Sequence, residues 1–367
     1  MKNKHPLTVR TIACTAILLV ALINPAAFAK TAVPVFLLSG QSNMSGMENS
    51  VSDLTADQKT TVENVKINLN SEGAQEKKGK WLTLGPGFGP SNNNIGPELF
   101  FGRTLSDSMP GQKIALIKSA VSGAPLGQAS GYLPPSSNNG TGGNNYNQMM
   151  GHIDAALKSF TTAFDTTQYT PCWAGFVWLQ GETDAMDLNQ ANKYETNLKN
   201  LIGDIRAKTG TPDLPIILPL IDVQSRWTHN SIIRAADVTM KKQLQYVDTM
   251  DTKGLPTNGV HYKAQGQVTI GKVCGTRWFN LHYNYGGDVP IVYRHMNPQV
   301  PGLFRVAPNS RMNCFSLSGK KTGTLEYGAF QNMPSRALSG KGIYILQFNQ
   351  PGQSGSFYFK TLVNVKK

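Results

Sequence analysis

The chain has 367 residues, 40% of them hydrophobic and 16% charged, with 35 Lys and Arg against 22 Asp and Glu for a formal net charge of +13. The excess is local: residues 290–367 carry ten Lys/Arg against Glu326 alone, a net +9, and Lys2, Lys4 and Arg10 add three cations at the start, so residues 30–289 stand at only +1. A main body so near neutrality gives a nucleic-acid partner no electrostatic support, and the lack of an internal repeat excludes a solenoid.

In chain order, the opening cations precede "TIACTAILLVALINPAAFA", which ends on the small-residue pattern Ala27-Phe28-Ala29. This is the form of a secretory signal peptide over residues 1–29, removed before Lys30, and it predicts a secreted protein. Asn24-Pro25 breaks the apolar run short of the roughly 20 residues a membrane anchor needs, so no transmembrane anchor is expected. Cys14 lies before the apolar core and leaves with the signal. Cys172, Cys274 and Cys314 remain, one possible disulfide and one spare; Cys172 with Cys274 would keep the bond within one domain, although sequence does not fix the pairing. No Cys/His cluster has zinc spacing, so neither metal nor cofactor is expected.

From residue 30 onward, apolar β-like runs alternate with helical patterns. "VPVFLLSG", "KIALIKSA", "WAGFVWLQG" and "LPIILPLID" read as strands. "GPELFFGRTLSDSM", "MMGHIDAALKSFTTAF", "ANKYETNLKNLIGDIRAKTG" and "HNSIIRAADVTMKKQLQ" read as helices. Alternation of this kind predicts a parallel sheet between helical layers, and continuous apolar strands suit a sheet buried on both faces. The polar stretch 132–148 predicts a functional surface loop or local disorder inside this domain. Past "YNYGGDVP" short β-like runs separated by Gly, Asn, Pro and Ser predict a small antiparallel β domain over 290–367.

Three of the predicted strands end on small polar residues. "FLLSGQSNM" closes on Gly40 and displays Gln41, Ser42 and Asn43. In an open parallel sheet ligands bind beyond the carboxyl ends of the strands, so Ser42 is placed to act as a nucleophile and to donate one oxyanion hydrogen bond from its own N–H. "ALIKSAVSGAP" ends at Ser122-Gly123, where a glycine backbone approaches an oxyanion, and "FVWLQGETDA" ends at Gln180, Glu182 and Asp184. His261, in a loop before a helix-like pattern late in the α/β region, is the histidine best placed to serve as base. His152, His229, His282 and His295 read as structural.

"GQSNM", "GPELFFGR", "IALIKSAVSGAPL", "WLQGETDA" and "NGVHYKAQGQ" occur in the order seen in the SGNH/GDSL hydrolase superfamily. They most resemble the sialate O-acetylesterase-like group and carbohydrate esterase family six, the acetyl xylan esterases, over roughly residues 33 to 275. The resemblance implies a three-layer α/β/α sandwich with a flavodoxin-like parallel sheet in residues 30–289. It also implies a serine acyl-enzyme mechanism releasing acetate from acetylated xylan. Ser42 would attack, His261 would carry the proton, and the N–H groups of Ser42 and Gly123 with the Gln180 amide would hold the oxyanion. Gln41 and Asn43 are candidate substrate contacts. The superfamily carries an aspartate three residues before its histidine, and this chain has Asn258. The family-six pattern makes Glu182 the acidic partner of His261, with Asn258, Asp184 and Asp251 as alternative orienting groups. Two other functions remain open, a sialate or other sugar O-acetylesterase and a catalytically weakened polysaccharide-binding protein.

In the tail, "NCFSLSGKKTGTL" followed by "LSGKGIYILQF" and "KTLVNVK" resembles the C-terminal sorting domains of type IX secretion substrates and the basic terminal domains of fibre-degrading bacterial enzymes. Contact with secretion machinery or the cell surface is the implied role. Sugar binding through Tyr344, Phe348, Phe357, Tyr358 and Phe359 is the competing one.

Overall fold

The structure, a computed structural model, describes residues 30–69, 72 and 75–284, and further on the backbone of 311–316, 321–326, 342–349 and 356–363. The predicted signal peptide and most of the basic tail lie outside the described residues.

Strand β1 (Thr31–Gly40) runs through the middle of a seven-stranded sheet. Its side chains alternate between two cores: Val33, Val35 and Leu37 pack on one side, Phe36 and Leu38 on the other. That period of two, with both faces apolar, is why the segment reads as an unbroken hydrophobic run. Beyond β1 come the single-turn helix α1 (Ser42–Ser45), strand β2 (Val62–Leu69), the edge strand β3 (Trp81–Leu84), and helix α2 (Glu98–Ser108). The remaining order is β4 (Ile114–Ala120), α3 (Asn144–Lys158), β5 (Tyr169–Leu179), α4 (Leu188–Thr209), β6 (Ile216–Leu220), α5 (Asn230–Gln243), β7 (Val247–Asp251) and α6 (Ala264–Asn284).

The spatial order is β3-β2-β4-β1-β5-β6-β7, parallel except where β3 meets β2. Within it β4-β1-β5-β6-β7 follows the flavodoxin-like 2-1-3-4-5 order, and the β2–β3 pair extends one edge. Helices α3, α4 and α5 cover one face through residues such as Met149, Leu198 and Met240, while α2 and α6 cover the other through Phe100, Phe101 and Trp278. Local signals set the helix ends. The side chain of Asp187 caps α4 by accepting from Gln190 N at 2.9 Å, and Gly210 closes that helix in the left-handed conformation.

The stretch 132–148 is a surface segment anchored by the buried residues Tyr132, Pro134, Gly143 and Tyr146. Tyr132 is fully buried, its hydroxyl donates to the Gly40 carbonyl at 3.0 Å, and α3 begins at Asn144. Cys172 and Cys274 are not bonded to each other, so the intradomain disulfide considered from the sequence is not present. Cys274 lies in the α6 layer beside Met250, and burial pushes both thiols up, Cys172 to about 11. Strands β8 (Arg311–Ser316), β9 (Lys321–Glu326), β10 (Gly342–Asn349) and β11 (Ser356–Val363) form a separate antiparallel sheet in the order β11-β10-β8-β9. Among the described residues no helix is long and apolar enough to cross a membrane.

Candidate active site

The carboxyl ends of β4, β1 and β5, neighbours at the centre of the sheet, deliver the three polar turns to one place. Gly40 ends β1 at φ +148°, and a Cβ there would stand 1.9 Å from the Leu179 carbonyl oxygen, so only glycine lets β1 and β5 approach this closely. Gln41 N donates to that carbonyl at 3.1 Å. The chain then turns into α1, where Ser45 N donates to the Gln41 carbonyl at 2.8 Å while the N–H of Ser42, at the start of the turn, has no intrahelical acceptor. Gly46, at φ +92°, closes the turn by donating to the Ser42 carbonyl at 2.8 Å.

A buried cation underlies this turn. Lys118 Nζ donates to the carbonyls of Ser45 and Phe88 at 3.0 and 2.8 Å and to Glu98 Oε2 at 2.6 Å, with neither charged side chain exposed. Burial lowers the Lys118 pKa and the adjacent Glu98 carboxylate opposes that fall.

Ser42, Gly123, Glu182, Arg226, Trp227 and His261 line one cleft of about 300 Å³. Gly123 has φ +68° and nothing within 4 Å of where a Cβ would be, which leaves its backbone open to the cleft. The structure therefore brings together the expected nucleophile, base and two backbone donors. The third expected oxyanion donor is placed elsewhere. Gln180 is 1% exposed, and its Nε2 lies 3.1 Å from Gln41 Oε1, 3.1 Å from the Ala124 carbonyl and 2.6 Å from Asp184 Oδ2. An amide nitrogen has two hydrogens, and these acceptors occupy both, so Gln180 ties the strand ends together instead of facing an oxyanion.

Asn43 also points inward, not to substrate. Its Nδ2 donates to Glu182 Oε1 at 2.7 Å and its Oδ1 accepts from Tyr262 N at 3.1 Å, joining the nucleophile turn to β5 and to the histidine loop. Gln41 does line the cleft, with its Oε1 accepting from Gln180 and from Thr183 N. Asp184 is fully buried and accepts from Leu126 N and Gly127 N, both at 2.8 Å, and from Gln180. Asp251 pairs with Arg234 at 2.7 Å. Each of these aspartates is committed to a structural partner.

The main difference from expectation concerns the acid beside His261. Its Nδ1 lies 2.8 Å from Glu48 Oε2, whereas Glu182 is engaged by Asn43. Glu182 is 2% exposed, burial raises its pKa, and its Oε2 has no hydrogen-bond partner. It faces the same cleft as His261, and the two interact electrostatically. Asn258 does not accept from the imidazole either. Its Oδ1 accepts from the backbone N–H groups of Val260 and His261 at 2.9 and 2.8 Å, and its Nδ2 donates to Glu48 Oε2 at 2.8 Å. The hydrogen bonds from His261 and Asn258 hold Glu48 below the usual carboxylate range, hence ionised at neutral pH. An ionised carboxylate only accepts, so the neutral ring carries its proton on Nδ1 and leaves Nε2 as its acceptor nitrogen.

Glu48 and Arg226 were not singled out from the sequence. The signal for Glu48 was the substitution at Asn258, which requires the acid to come from another segment; nothing in the sequence distinguishes Arg226 from other surface arginines. Arg226 is exposed on the cleft and has neither an ion pair nor a hydrogen bond among the described residues. No group of three His, Cys, Asp or Glu among the described residues is disposed to hold a metal ion.

Comparison with known proteins bears on the family and the fold. The family model described as carbohydrate esterase, sialic acid-specific acetylesterase, matches residues 32–279. A probable carbohydrate esterase of Arabidopsis thaliana is 33% identical over 97 residues, a stretch covering 26% of this chain and 36% of that protein. A solved structure of an Arabidopsis thaliana protein superposes with a TM-score of 0.53 at 20% identity, covering 67% of this chain and 98% of the other, which shows a shared fold. A carbohydrate acetylesterase from Xanthomonas citri is similar at a TM-score of 0.49 and 17% identity, over 87% of this chain and 63% of its own.

Proposed function

Because this chain belongs to the carbohydrate esterase family of the sialic acid-specific acetylesterases, we propose that it is a secreted carbohydrate O-acetylesterase that removes acetyl groups from acetylated xylan. The observation that carries the reading is the meeting of Ser42, Gly123 and His261 in one cleft at the ends of the three central strands. Ser42 Oγ attacks the acetyl carbonyl and loses its proton to Nε2 of His261. The N–H groups of Ser42 and Gly123 hold the oxyanion, each worth about 2 to 4 kcal/mol of barrier. The tetrahedral intermediate collapses as His261 returns the proton to the sugar alcohol, leaving an acetyl-serine. Water, deprotonated by the same Nε2, releases acetate and restores Ser42.

One observation favours the sialate reading. The unpaired guanidinium of Arg226 on the cleft suits a sugar bearing a carboxylate, which a guanidinium binds through two parallel hydrogen bonds. The basic segment 290–367 is assigned a sorting or surface-attachment role on its charge and on the motifs quoted above.

The test is acetate release from acetylated xylan and from O-acetylated sialic acid, by the purified protein and by Ser42→Ala. Release from xylan that falls at least about 1,000-fold in Ser42→Ala supports the reading. Faster release from sialic acid moves the substrate to the second reading. Inertness toward both, with xylan affinity retained, makes the protein a binder and ends the esterase proposal.

A further inference from the structure

We propose that Glu48 is the positioning acid of this esterase, acting through His261, and that Asn258 is its matched holder. The inference rests on the esterase reading for its catalytic consequence and on geometry for the rest. Where the resemblance leads one to expect an aspartate that accepts from the imidazole, this chain has an amide that donates. Both Asn258 Nδ2 and His261 Nδ1 point their hydrogens at the same oxygen, Oε2 of Glu48, each at 2.8 Å. An aspartate at 258 would bring a second carboxylate to this position, and two carboxylates at hydrogen-bonding distance repel. The amide and the glutamate are therefore complementary: the negative charge has moved from the histidine loop to the nucleophile loop, and the residue it left behind has become a donor that fixes it in place.

The local backbone is built for this. Glu48 has φ +54°, an uncommon conformation for a residue with a side chain, and one that carries a conformational cost where it occurs away from glycine. Its neighbour Asn49 pins the loop: Nδ2 donates to the carbonyls of Gly46 and Ile95 at 2.8 and 2.7 Å, and Oδ1 accepts from Ile95 N at 3.0 Å. Glu48 thus reaches His261 from a rigid support six residues past the nucleophile. Its side chain is 57% exposed while that of the histidine is 12% exposed, so water screens the charge on the outer side, and its effect is smaller than that of a buried triad acid.

The experiment compares the parent with Glu48→Gln, Glu182→Gln, and the double variant Glu48→Gln/Asn258→Asp, in steady-state hydrolysis of an acetylated substrate. A second readout, the ¹⁵N imidazole shifts of His261, reports which ring nitrogen holds the proton whether or not the protein turns over. Glu48→Gln is expected to lower kcat about 10- to 100-fold with KM within about two-fold, because ring orientation and imidazolium stabilisation are lost while the cleft is not. It is also expected to lower the population of the Nδ1-protonated tautomer. Returning a carboxylate at position 258 is expected to recover at least about five-fold of the lost kcat, which a purely structural role for Glu48 would not allow. A Glu48→Gln variant within two-fold of the parent, with Glu182→Gln carrying the loss, overturns the assignment, as does a double variant no better than Glu48→Gln. An inactive parent refutes the esterase reading alone. In that case an Nδ1-protonated His261 that changes tautomer in Glu48→Gln still supports the pairing, and an unchanged ring overturns it.

Discussion

Lys118 and Glu98 form an ion pair with no exposed side-chain surface beneath the turn that presents Ser42, and the substitution that isolates one of them is Lys118→Met. Methionine nearly matches lysine in length, so the cavity left behind is small and the change is mainly one of charge. Glu98 would keep Gly96 N as a donor at 2.9 Å and remain a buried carboxylate without its paired cation, with Lys77 acting on it only through space. Breaking a buried pair in this way costs about 3 to 5 kcal/mol. The Ser45 and Phe88 carbonyls lose a donor as well, at about 1 kcal/mol each where water does not replace it, part of the same total. Urea unfolding followed by tryptophan fluorescence is the assay, and all five tryptophans lie between residues 81 and 278 of the domain concerned. With a slope of about 3 kcal/mol per molar for a domain of this size, the midpoint should fall by about 1 to 1.7 M. The double variant Glu98→Gln/Lys118→Met removes the stranded charge and should recover most of that fall. A single variant whose midpoint moves by less than about 0.3 M, or a double variant no more stable than the single, refutes the argument that charge isolation is the cause.

Two other perturbations follow from the same kind of geometry. Gly40→Ala places a methyl group 1.9 Å from the Leu179 carbonyl oxygen at a φ of +148°, so β1 and β5 must separate. A loss of at least about 2 kcal/mol, measured by thermal unfolding, is expected together with a large fall in turnover. His152 is held neutral by burial, its pKa lowered to about 4 against an ordinary 6.5, with Nε2 2.8 Å from Asn68 Oδ1. Between these values the unfolded chain binds the proton that the folded one refuses. This contribution is therefore complete above pH 6.5 and is lost as pH falls toward 4, by about 3 kcal/mol. His152→Gln should flatten that part of the stability curve relative to the parent, and parallel curves for the two proteins would show that the ring is not the titrating group.

The sheet and its helices are legible in the sequence because the period-two and 3.6-residue patterns coincide with burial on both faces. Ser42, Gly123 and His261 are legible because a parallel sheet aims its strand ends at one side. The acid is not legible by the same logic. Glu48 meets His261 across 213 positions of sequence, and that contact depends on how Gly46 and Asn49 fold the loop, not on a strand end. Gln180 illustrates a second limit: its position at the end of β5 is readable, but the direction of its amide is set by Gln41, the Ala124 carbonyl and Asp184, which come from three separate turns. The β2–β3 edge pair escaped reading because Trp81–Leu84 is four residues long and finds its partner antiparallel within an otherwise parallel sheet.

Asn43 grips Glu182 and Tyr262 N with its side chain, and its carbonyl accepts from Gln267 Nε2 at 2.9 Å. The nucleophile turn, the end of β5 and the head of α6 are thereby riveted through one residue, which makes the reacting centre a chassis independent of its bodywork. The exposed apolar side chains of Met186, Leu188 and Val223 sit outside that fastening. Of these Met186 lines the cleft, so a substitution there reshapes the cleft wall while the hydrogen bonds that Asn43 makes stay in place.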